Sequence, residues 1–122
     1  MEVKFESITN FIQEMEDNAT SKGAEFYCVL IPTSNVDPIA EEMYERLNAA
    51  HDPLFYFTRR KQMADLQKRL ENQSINVINL RDSLQDLENG YLKFDTHWSE
   101  KGVETSADKI AEYLLKNSSV LH

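Results

Sequence analysis

Apolar positions along the chain fall into two kinds of run, and the two kinds alternate. Phe5, Ile8, Phe11, Ile12, Met15 and Ala19 recur at helical spacing, which predicts a helix over 5–21. Gly23 stands just past its end, where helices commonly stop in a left-handed residue. FYCVLI at 26–31 is a continuous apolar run of strand formers, as expected of a strand buried on both faces of a parallel sheet. Asp37 and Pro38 make a cap and a first-turn proline, predicting a helix to about Ala50 with Ile39, Met43, Tyr44 and Leu47 inward. HDPLFYF at 51–57 reads equally as a short buried strand or a packed loop. Thr58 is a candidate cap for a further helix that carries Met63, Leu66 and Leu70 on one face. INVINL at 75–80 is a second short strand, and RDSLQDLENG a surface loop or one helical turn. From Ser99, the positions Val103, Ala107, Ile110, Ala111, Leu114 and Leu115 predict an amphipathic helix to about Lys116.

Strands alternating with helices predict an α/β fold with a parallel sheet between helices. Two or three strands are few for such a layer. The expectation is therefore half of a doubly wound domain, or a subunit that completes its sheet by association. A length of 122 residues fits one domain spanning 1–122. Phe55, Tyr56 and Phe57 are consecutive and cannot all face one core. The 54–57 region, or a sheet edge, is expected to contact a second copy, in a homodimer, or a companion half.

Composition narrows the classes of function. Apolar residues make up 41%, which argues against disorder. The net charge of −8 argues against nucleic acid and anionic lipid as partners. Cys28 is single, so no internal disulfide forms, and its apolar neighbours mark it as a small core residue. No apolar stretch approaches the ~18 residues of a membrane span, and the acidic amphipathic N-terminus does not read as a signal peptide. The compartment stays open.

The densest chemistry lies in YLKFDTHWSEKG, residues 91–102. Asp95 stands two residues before His97, between a strand-like segment and a helix start. Ligands of α/β sheets bind at such strand-to-helix edges. A histidine beside an ionised aspartate suits a general base, with the carboxylate orienting the ring. The same residues also admit a structural reading. Asp95 then closes a loop, Thr96 or Ser99 caps the helix, His97 is a half-exposed ring and Trp98 is core. A metal site is disfavoured, because His51 and His122 are the other histidines and no His-x-x-x-His or cysteine cluster is present. Nothing in the pattern calls for a cofactor.

The segment KFDTHWSEKGVETSADKIAEYLLK resembles the last block of SGNH/GDSL-type hydrolases, and most closely the branch of alginate-type O-acetyltransferases. Asp95, His97, Trp98, Ser99, Gly102, Ala107 and Ala111 carry the match. GAEFYCVLIPTSN and LENQSINVINLRDSLQD resemble the strands that precede it. The resemblance implies a flavodoxin-like, SGNH-type three-layer fold with a parallel sheet between helices. It implies His97 as base, Asp95 as its partner and Trp98 as packing or substrate-side structure. The substrate would be an acylated small molecule or glycan.

The family's serine sits in a Gly-Asp-Ser element, and none of Gly23, Gly90 and Gly102 precedes Asp-Ser. Asp82-Ser83-Leu84 has arginine where glycine belongs and lies 12 positions before Asp95, so Ser83 reads as a decoy nucleophile. Ser34 and Asn35, after the first strand, are candidate site-lining residues that match neither the nucleophile block nor the oxyanion block. The chain therefore reads as the C-terminal portion of an SGNH hydrolase-like domain. It carries an Asp-His pair without the serine block, and it is expected to be silent alone. In the alternative reading it is a non-catalytic α/β interaction protein that completes its sheet by self-association.

Overall fold

The computed structural model describes residues 5–32, 53–92 and 97–121, with the side chains of 53–60 outside that description. The helix expected over 37–50, His51, His122 and the packing of Phe55, Tyr56 and Phe57 therefore lie outside the described residues. In chain order the elements are α1 (Glu6–Ser21), β1 (Tyr27–Leu30), α2 (Pro53–Asn72), β2 (Asn76–Asn79), the single turn α3 (Arg81–Leu84) and α4 (Glu100–Asn117).

Both long helices that precede a strand stop in the same way. Gly23 takes a left-handed φ of 77°. The amides of Gly23 and Ala24 return to the carbonyls of Thr20 and Ala19, the paired bonds of a Schellman stop. At the end of α2, Ser74 fills the left-handed position with φ 62°. The Ser74 and Ile75 amides bond the Glu71 and Leu70 carbonyls, and Ile75 and Leu70 pack in one cluster. Each stop reverses the chain directly into its strand.

Residues 53–57 are helical, contrary to both readings of HDPLFYF, and Thr58 lies inside α2 instead of capping it. Pro53 explains the start, since its missing N–H costs nothing in a first turn. Local aromatic strand propensity yields to the continuous helix that follows.

β1 and β2 pair in parallel, with Cys28 opposite Val77 and Val29 opposite Ile78, as the buried runs and intervening helix require. Alternation along the strands sends side chains to two faces. Cys28, Leu30 and Val77 meet Leu70, Ile75, Met63 and Leu66, with Ile12 of α1 on the same side. Val29, Ile78 and Leu80 meet Leu84, Tyr91, Trp98, Ile110 and Tyr113 on the other. Helices therefore cover both faces of an α/β layer.

Neither amphipathic helix turns its whole apolar stripe inward. On α1, Phe5 and Thr9 are buried and Ile12 packs on the core, while Phe11 is 69% exposed and Met15 58%. On α4 the buried residues are Gly102 and Ser106, with Ile110 and Tyr113 packed on the core. Val103, Ala107, Ala111 and Leu115 are exposed, against expectation. The small residues decide that orientation, because they let the helix backbone come close.

A carboxylate fixes the amino end of the sheet. Glu25 accepts from the Tyr27 hydroxyl on one oxygen. On the other it accepts from Ser118 Oγ at 3.0 Å, Ser119 Oγ at 3.1 Å and the Val120 amide at 2.9 Å. The Tyr27 and Val120 bonds lead in lowering its carboxyl from 4.5 to about 2, since hydrogen bonds to the charged form favour it. A depressed carboxyl stabilises the fold above its unfolded value and loses that contribution as pH falls through the folded one. Urea titrations of parent and Glu25→Gln are expected to differ most above pH 4.5 and to converge towards pH 2. A gap that stays constant from pH 7 to pH 2 would contradict this role.

Candidate functional site

The carboxyl end of the sheet is built around Tyr91. The Leu80 amide bonds the Leu30 carbonyl at 3.1 Å, just beyond the paired strands. Two residues on, buried Pro32 presents a carbonyl with no place in the strand ladder. Tyr91, 4% exposed, donates its hydroxyl to that carbonyl at 2.7 Å. Tyr91 also forms an antiparallel bridge with Trp98, and the Leu92 amide bonds the His97 carbonyl at 2.9 Å. His97 is thus tied through Tyr91 and Leu92 to the end of β1.

The N-terminus of α4 clamps the turn before Tyr91. Ser99 caps the helix by accepting from the Gly102 amide at 3.2 Å and donates its hydroxyl to the Asn89 carbonyl. The Ser99 amide bonds the Gly90 carbonyl at 3.0 Å, and Lys101 Nζ bonds the Glu88 carbonyl at 3.0 Å. A Cβ on Gly102 would lie 2.0 Å from the Gly90 oxygen, so this approach is open to glycine alone.

His97 is exposed. Trp98 is half-buried against the cluster of Ile78, Leu80, Leu84 and Tyr91, so it serves as packing here. Asp95, Ser34 and Asn35 lie outside the described residues. Ser83 sits in the one-turn helix α3, and its amide donates to the Leu80 carbonyl at 3.2 Å. The next amide, Leu84, is also occupied, donating to the Leu80 carbonyl at 3.0 Å, whereas in a nucleophile elbow the amide after the serine faces the reacting carbonyl. Cys28 is half-buried, and burial pushes its thiol pKa up, away from the reactive thiolate. Among the described residues no group of three His, Cys, Asp or Glu side chains could hold a metal ion. Nor, among them, is any helix long and apolar enough to cross a membrane. Sequence reasoning missed Tyr91 as an anchor, since its partner at Pro32 is 59 residues away.

A family model described as the SGNH hydrolase-like domain of acetyltransferase AlgX matches residues 2–122. The chain belongs to this family. No curated protein and no solved structure matches the chain. Membership in the AlgX-type family makes this an SGNH hydrolase-like domain of the acetyltransferase kind.

The Gly102 contact generates a stability prediction. Gly102→Ala is expected to cost about 1–3 kcal/mol or more, as for other overpacked sites, despite alanine's better helix propensity. Equilibrium urea unfolding measures it. A variant as stable as the parent would show that α4 can retreat from Gly90 freely.

Proposed function

We propose that this chain supplies the general-base half of an O-acyl transfer site, with His97 as base and Asp95 as its orienting partner. The observation that carries the reading is an exposed histidine whose backbone is tied through Leu92 and Tyr91 to the carboxyl end of a parallel sheet, in a chain of the AlgX-type family. Two residues of chain separate Cα atoms by at most ~7 Å, so Asp95 is covalently held within reach of His97. Trp98 packs beneath, and Ser34 and Asn35 are assigned to the lining of the same edge.

The nucleophile comes from a serine block outside these 122 residues. Its Oγ attacks the ester carbonyl as His97 takes the hydroxyl proton. His97 returns that proton to the departing alkoxide, leaving an acyl-serine. An acceptor hydroxyl then gives its proton to His97 and attacks the acyl carbon, and serine leaves with the proton restored. An acylated small molecule or glycan is the substrate class, and no cofactor enters the steps. The remainder of the SGNH domain, or a second copy of the chain, is assigned to the exposed apolar stripe of α1. Sedimentation of the chain at micromolar concentration, alone and with that remainder, tests the assignment. A monomer in both samples would overturn it.

With p-nitrophenyl acetate as probe, the 122-residue chain alone is expected to show no turnover, unaltered by Ser83→Ala. Turnover abolished by that substitution would promote Ser83 to nucleophile. Joined to its serine block, the protein is expected to lose about 10²–10⁴-fold in kcat on His97→Ala, with circular dichroism unchanged. A variant that keeps its rate would remove His97 from the chemistry.

A further inference from the structure

We infer that Tyr91 is the positioning residue of this site: its buried hydroxyl fixes where His97 stands at the carboxyl end of the sheet. The inference rests on the reading of His97 as base. It goes beyond that reading because Tyr91 acts only through the backbone pairing that holds His97.

Two links make the connection continuous. The phenol donates to Pro32, past the last rung of β1. The antiparallel bridge between Tyr91 and Trp98 is closed by the Leu92 amide on the His97 carbonyl and the Ser99 amide on the Gly90 carbonyl. The ring itself is fixed among Ile78, Leu80 and Leu84, so the hydroxyl has little freedom to seek another acceptor. A base must sit within hydrogen-bond reach of the proton it takes, and small displacements are costly.

Tyr27 provides an internal control. It packs on the same cluster, and its hydroxyl also makes one side-chain bond, to Glu25 at the opposite end of the sheet. Tyr91→Phe and Tyr27→Phe each remove one phenol hydroxyl and keep the ring. The test compares them by amide hydrogen exchange in the 122-residue chain, and by kcat and KM for p-nitrophenyl acetate once the chain is joined to its serine block.

Tyr91→Phe is expected to speed exchange at the Leu92 amide by about tenfold while the Leu80 amide in the sheet holds its rate. It is expected to lower kcat by about tenfold to a hundredfold with KM unchanged. Tyr27→Phe is expected to leave both the Leu92 amide and kcat as they are. Parallel acceleration at Leu92 and Leu80, or equal kcat in the two variants, would overturn the inference and leave Tyr91 a core residue. If Tyr91→Phe does not fold, 3-fluorotyrosine incorporated at position 91 strengthens the donor without changing its place. Slower Leu92 exchange then supports the inference, and unchanged exchange refutes it. Retained activity in His97→Ala would sink the base assignment alone, and the exchange measurements would still decide what Tyr91 holds.

Discussion

Everything at the carboxyl end of this fold depends on how closely α4 approaches the turn at Gly90. The helix arrives with a glycine in its first turn, and the Gly90 carbonyl occupies the space that a side chain would fill. That approach brings the Ser99 hydroxyl and amide and the Lys101 ammonium onto three successive carbonyls, those of Asn89, Gly90 and Glu88. Turn carbonyls left without partners would be costly if buried, so the helix end and the turn satisfy one another. His97 and Trp98 lie directly before that clamp in the chain.

The same approach explains why the apolar stripe of α4 misreports its buried face. A hydrophobic pattern weighs Val103, Ala107 and Leu115 heavily and gives Gly102 and Ser106 nothing. In the fold, the side with no bulk goes inward because it lets backbones meet. On α1, Thr9 is buried with its hydroxyl returned to the Phe5 carbonyl at 3.0 Å, so a polar residue needs no partner elsewhere. Phe5 meets the Arg69 guanidinium 5.4 Å from its ring centre, where dispersion and cation–π attraction replace aliphatic contact.

What could be read from the chain was what its neighbours in sequence decide. Gly23 as a helix stop, Ser99 as a cap and the parallel pairing of two apolar runs follow from local conformational preference and burial. The Asp-His-Trp block was legible as a family pattern. HDPLFYF was not legible, because its aromatic residues favour a strand locally while the chain beyond them is helical. The anchors at both ends of the sheet were not legible either. Tyr91 reaches Pro32, and Glu25 reaches Ser118 to Val120, across 59 and 93 to 95 positions. No periodicity records a single hydrogen bond between such distant residues.

Those two anchors give α4 a role beyond covering a face. Among the described residues the sheet is two paired strands, which supply few ladder bonds and gain from support at their ends. Helix α4 meets both ends. Its first turn clamps the stretch before Tyr91 at the carboxyl end, and the residues after its last turn fold onto Glu25 at the amino end. An 18-residue helix extends for about 27 Å, long enough to act as a strut along the sheet. Tyr27 and Tyr113, edge to face at 6.0 Å, hold it near the amino end, and Trp98 holds it near the other.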